Sequence, residues 1–133
     1  MKKISLEEIL AKQLNTKDDW YYLCIGYELS EDIIEKFKNE LDWDDVCTFQ
    51  ILSEQFMEKY IDKINWKYIS AYQTLSEQFI EKHINEVDWD YISSNQKLSE
   101  SFIEKHINDV NWFFISKRQT LSENFIEKYK NRL

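Results

Sequence analysis

The chain has 133 residues, with 25 acids against 17 bases for a formal net charge of −8, a single glycine, Gly26, and no proline. Sandwiches, barrels and phosphate-cradling loops depend on glycine-bearing turns, so the near-absence of glycine excludes them and points to helices joined by tight polar corners. The acidic balance argues against direct nucleic-acid binding, which rests on neutralising phosphates with Lys and Arg.

Trp20, Trp43, Trp66, Trp89 and Trp112 stand 23 residues apart. A fixed period of this size marks a repeat architecture. The expected organisation is a degenerate capping repeat over residues 1–28, four helix-pair repeats at 29–51, 52–74, 75–97 and 98–120, and a closing helix over 121–133. In chain order, the first repeat keeps mainly Leu6 and Trp20, and Asp19 is expected to cap its second helix. The second repeat, LSEDIIEKFKNELDWDDVCTFQI, is a looser copy of the consensus. The third to fifth are close copies, of which LSEQFIEKHINEVDWDYISSNQK is the clearest.

Within residues 75–97, Ser76 reads as an N-cap with Glu77 behind it, where the helix dipole favours negative charge. Phe79, Ile80 and Val87 recur at helical spacing, which predicts a first helix of roughly ten residues. Asp88 reads as a second cap, opening a helix of roughly seven residues over Trp89 to Asn95. Asp42, Asn65 and Asn111 repeat that second signal. Helices this short are not stable alone, so neighbouring repeats must stack and bury their Trp, Phe and Ile in one core. The fold class is therefore all-α: a right-handed or gently curved solenoid of short helix-turn-helix repeats, with no strand signal.

Several residue patterns invite a chemical reading. His83 and His106 are one repeat apart, but the same position holds Phe37, Tyr60 and Tyr129, so it reads as a ring-packing slot and not a metal site; zinc requires three or four ligands. Cys24 and Cys47 fall where later repeats carry Ser70, Ser93 and Ser116. They read as free, small buried thiols, since stacked helices hold equivalent positions beyond disulfide reach. Asp42-Trp43-Asp44-Asp45 and Asp88-Trp89-Asp90 lack the glycine and terminal Glu of a calcium loop. No histidine accompanies each Ser-Glu pair to activate a hydroxyl. Gln50, Gln73, Gln96 and Gln119 hold one position and read as a hydrogen-bonded ladder or a brace for the corner to the next helix. No catalytic residue, metal ligand or cofactor site is expected, and none of these patterns suggests an enzyme.

Positions outside the packing rule are the ones a partner can shape. After the tryptophans come Tyr21, Asp44, Lys67, Asp90 and Phe113; near the ends of the second helices come Gly26, Phe49, Tyr72, Asn95 and Arg118. Residues 29–51 carry seven acids and two bases, whereas 52–74 and 98–120 are each neutral. The candidate partner-binding set is Asp18, Asp19, Glu40, Asp42, Asp44 and Asp45, an acidic region, with Lys67, Asp90, Phe113 and Arg118.

The consensus LSE-x-FIEK, followed by V-(D/N)-W-x-(Y/F)-IS-x-x-Q as in Leu75 to Gln96, resembles short tandem repeats of bacteriophage and giant-virus proteins. It covers residues 29–133 well and 6–28 poorly. The resemblance implies a helical repeat and carries over no site residue. A small acidic phage protein is the kind of accessory factor that blocks a host defence such as CRISPR. The expected function is binding and occlusion of a partner protein, with a basic nucleic-acid-binding surface as the target. The alternative is a structural protein whose stack end pairs with a second copy. With no apolar run long enough for a membrane and no secretory segment after Met1, the expected location is cytoplasmic.

Overall fold

The computed structural model describes residues 1–133. Its elements are, in chain order, β1 (Lys2–Lys3), α1 (Leu6–Lys12), α2 (Lys17–Gly26), β2 (Tyr27–Glu28), α3 (Glu31–Lys36), α4 (Trp43–Phe49), α5 (Glu54–Lys59), α6 (Trp66–Tyr72), α7 (Glu77–Lys82), α8 (Trp89–Asn95), α9 (Glu100–Lys105), α10 (Trp112–Arg118) and α11 (Glu123–Lys128). From α3 onward, first helices of six residues alternate with second helices of seven, each recurring at the 23-residue period. The all-α repeat is thus present. The chain forms two compact units, Met1–Gln73 and Thr74–Leu133. In the first, α2 packs on α4 and α4 on α6; in the second, α8 packs on α10. No helix is long and apolar enough to cross a membrane.

Local chemistry explains the starts. Ser30, Ser53, Ser76, Ser99 and Ser122 each accept a hydrogen bond from the backbone N–H three residues on. Asp42, Asn65, Asp88 and Asn111 cap the second helices, accepting from the N–H two residues on. Each cap satisfies a donor that the helix itself leaves orphaned, at a typical value of ~1 kcal/mol.

The first helices are shorter than the hydrophobic spacing predicts. They stop after six residues at the ring slot, and a separate turn follows, as where Glu86 and Val87 both donate to the His83 carbonyl. Apolar periodicity runs through that turn because Val87 is still buried, so periodicity alone cannot show the break. The tryptophan closes it: the indole N–H donates to the carbonyl five residues back, Trp43 to Lys38 at 2.9 Å and Trp112 to Ile107 at 3.1 Å.

The core follows the period. Ile34, Met57, Ile80 and Ile103 on first helices and Val46, Ile69, Ile92 and Ile115 on second helices are all fully buried. Each such side chain contributes about 1.5–3 kcal/mol relative to exposure. The five indoles are all half-buried, and three of them show the same surroundings. Trp43 lies against Phe56 and Tyr60, Trp89 against Phe102 and His106, and Trp112 against Phe125 and Tyr129, each pair belonging to the next repeat.

The first repeat departs from expectation twice. Asp19 does not cap α2; Thr16 does, with Asp19 as the reciprocal partner of a capping box. The Thr16-x-x-Asp19 spacing carries that signal, and the pull of the 23-residue register obscured it. A strand pair also forms, β1 running parallel to β2 with Lys2 opposite Tyr27 and Lys3 opposite Glu28. Burial of Ile4 just beyond β1 anchors this extended segment beside the corner.

Candidate partner-binding surface

Side chains that repeat exactly with the period are engaged in holding one repeat to the next. The Gln50 carbonyl accepts the Leu29 N–H at 2.8 Å, and its amide donates to the carbonyls of Cys24 and Tyr27 at 2.6 and 2.9 Å. Gln73 does the same for Leu52, Cys47 and Gln50, and Gln119 for Leu98, Ser93 and Gln96. Each amide therefore braces the preceding corner and supplies the donor and acceptor that a glycine turn would otherwise satisfy internally.

The acid after each serine has a second task that sequence reading missed. The Glu31 carboxylate accepts both the N–H and the hydroxyl of Ser53, one repeat on; Glu77 does so for Ser99 and Glu100 for Ser122. The 22-residue recurrence of Glu before Ser was the only signal available. A third row joins Glu35 to Lys59 and Tyr60, Glu81 to Lys105 and His106, and Glu104 to Lys128. The hydrogen bonds from His106 and Lys105 hold the Glu81 carboxyl below its usual range.

The ring-slot and thiol readings agree with this geometry. Both histidines are buried; His83 lies 4.7 Å from Phe79, and His106 sits against Trp89 with its nitrogens 2.5 and 3.2 Å from carboxylate oxygens of Glu81 and Asp109. Cys24 and Cys47 are free and buried. Burial pushes their thiols up to about 12 and about 11, which makes both poor nucleophiles at neutral pH.

The candidate partner-binding residues do not come together in one place. Asp18, Glu40, Asp42 and Asp45 come together, with Lys17, Tyr21, Asn39 and Leu41, around an open groove of about 470 Å³ between α2 and the turn leading into α4. Burial, with Asp42 and Asp44 adding repulsion, raises the Asp45 carboxyl. Asp19 is apart from this groove; it faces a smaller one with Lys12, Leu14, Tyr22, Leu23 and Tyr27. Its carboxylate accepts the N–H groups of Asn15 and Thr16, which hold it below its usual range.

Asp44 and Asp90 are exposed yet have partners: each accepts from the side-chain amide of the next cap, Asn65 at 3.1 Å and Asn111 at 2.7 Å. Lys67 is exposed on α6. Phe113 and Arg118 are exposed on α10, and Lys117 covers the Phe113 ring at 4.8 Å. Asp90, Phe113 and Arg118 belong to the C-terminal unit and the groove to the N-terminal one, so the ten residues do not form one site within either unit.

The sequence marks Tyr21, Phe49 and Tyr72 as variable positions but does not show that outward rings meet on the N-terminal unit. Tyr21 and Tyr22 on α2 meet edge to face at 5.4 Å, Tyr21 meets Phe49 of α4 at 6.3 Å, and Tyr68 stacks with Tyr72 on α6. Tyr21, Tyr22, Phe49 and Tyr72 all count among the exposed large side chains.

No known protein family, curated protein or solved structure matches this chain.

Proposed function

We propose that the protein acts without catalysis, by binding and occluding another protein, and that the groove of the N-terminal unit takes the basic side chains through which that partner holds nucleic acid. The carrying observation is the convergence of Asp18, Glu40, Asp42 and Asp45 on one open groove with a single lysine, Lys17, on its wall. Carboxylates gathered on a concave surface focus a negative potential, which speeds encounter with a cationic partner and excludes anionic ones. The repeat scaffold supports the reading, since such arrays present extended rigid surfaces. A viral inhibitor of a host defence nuclease is the biological setting this mechanism fits.

Asp42 and Asp44 are poor probes of the idea, because one caps α4 and the other holds Asn65. Asp18 and Glu40 are exposed and make no hydrogen bond through their side chains, so Asp18→Lys with Glu40→Lys reverses charge without removing a structural contact. The immobilised wild type should retain DNA-binding proteins from nuclease-treated lysate of the cell in which it acts, and should block their DNA binding in a mobility-shift assay. The double variant should do neither. Equal capture by both proteins, or captured proteins that bind DNA undisturbed, would remove the support for occlusion.

A further inference from the structure

We propose that the outward rings of the N-terminal unit read arginine: Tyr21 and Phe49 receive guanidinium side chains of the partner, which the carboxylates of the adjoining groove then anchor. This rests on the occlusion reading and names the chemistry its partner must present. Several rings elsewhere in the chain lie under the chain's own cations: the exposed Phe113 under Lys117, the half-buried Tyr27 under Lys12, Tyr129 under Lys128 and Trp112 under Arg132, and the buried Tyr60 beside Lys38 and Lys59. No cation of the chain covers Tyr21, Tyr22 or Phe49, although Tyr21 is 38% and Phe49 37% exposed.

Tyr21 lines the groove with Asp18 and Asp45, and Phe49 adjoins it through its edge contact with Tyr21. A neutral apolar partner would leave those charges desolvated and unpaired, and an anionic one would be repelled, so the face complements a cation. Between the two cationic side chains, the planar and weakly hydrated guanidinium can stack on a ring while its N–H fork engages a carboxylate. An ammonium is a strongly hydrated point charge that gains less from the ring. Equivalent positions of the C-terminal unit carry Asn95 and Arg118 in place of Phe49, and the one exposed ring there, Phe113, already carries Lys117.

Labelled octa-arginine and octa-lysine peptides have equal charge and separate the two readings by fluorescence anisotropy at low salt. The wild type should bind octa-arginine about tenfold more tightly than octa-lysine. Tyr21→Leu with Phe49→Leu, which keeps apolar bulk, should abolish that preference by weakening octa-arginine far more than octa-lysine. Asp18→Lys with Glu40→Lys should weaken both peptides together. In the unaltered protein, ring-proton resonances of Tyr21 and Phe49 should shift further upfield or downfield with saturating octa-arginine than with saturating octa-lysine, a readout independent of how the variants fold. Equal affinity for the two peptides, or a preference that survives loss of both rings, overturns the arginine reading and leaves the acidic groove in place. Failure of both peptides to bind overturns the groove and the rings together.

Discussion

In the N-terminal unit, residues 1–73, fifteen acids stand against nine bases, a net charge of −6; in the C-terminal unit, residues 74–133, ten stand against eight, a net charge of −2. The inward positions hardly distinguish them: Ile34, Val46, Met57 and Ile69 in one and Ile80, Ile92, Ile103 and Ile115 in the other are equally buried. What differs is the outside. The N-terminal unit adds a strand pair, an acidic groove and a row of bare rings, while the C-terminal unit keeps close to the consensus. Packing between repeats thus constrains one set of positions and leaves another to vary, and the variation is concentrated in one half of the chain.

The largest expected effect tests whether the corners are equivalent in the two units. Gln50 is buried, and Gln50→Leu would strand the Leu29 N–H and two carbonyls, at a cost on the order of 3 kcal/mol. Gln119 makes the same three bonds but is only half-buried, so water can replace them and Gln119→Leu should cost about 1 kcal/mol. Urea unfolding of each variant measures the difference; equal losses would mean that corner burial is irrelevant to the amide's contribution.

A smaller effect concerns acid. Glu81 is held below its usual range by His106 and Lys105, so its contribution is fully present above the unfolded carboxylate value and disappears as pH falls through the lower folded value. Glu81→Gln should therefore lower the urea midpoint at pH 7, and the gap from wild type should close on acidification. A gap that is constant with pH would show that the Glu81 charge is not what stabilises the row.

The smallest effect has the opposite sign and sits in the groove. The Asp45 carboxyl is raised by burial and by Asp42 and Asp44, so its ionised form opposes folding at neutral pH, and the penalty vanishes once pH falls below the ordinary carboxylate value. Asp45→Asn should raise Tm at pH 7 by no more than about 4 °C, and by less toward pH 3. A fall in Tm would mean that the clustered acids are not in conflict with one another.

The fold was legible because its signals repeat. Serine caps, Asp or Asn caps and tryptophans each recur five or four times at one spacing, and every recurrence tests the others. The corner role of Gln50 and Gln73 was legible for the same reason. The early end of the first helices was not, because Phe79, Ile80 and Val87 keep a helical rhythm through a turn that the following indole closes from five residues on. Nor was the carboxylate ladder of Glu31, Glu77 and Glu100, because an acid near a helix N-terminus is already favoured by the helix dipole. In the candidate site, the acids were visible as a local excess of charge. Tyr21 and Phe49 were noted only as variable positions, since their meeting on the surface depends on α2 and α4 lying side by side.

The amide brace carries a consequence for how such a chain can change length. Gln50 and Gln73 each reach back to backbone groups 21, 23 and 26 residues away, and those offsets belong to the module and not to any particular copy. Splicing a whole 23-residue module in or out preserves every offset, whereas an insertion of a few residues within a module misaligns a brace and strands three buried groups. Growth by duplication and loss by excision are therefore the structurally cheap edits, and small frame-preserving indels are the ones selection should remove.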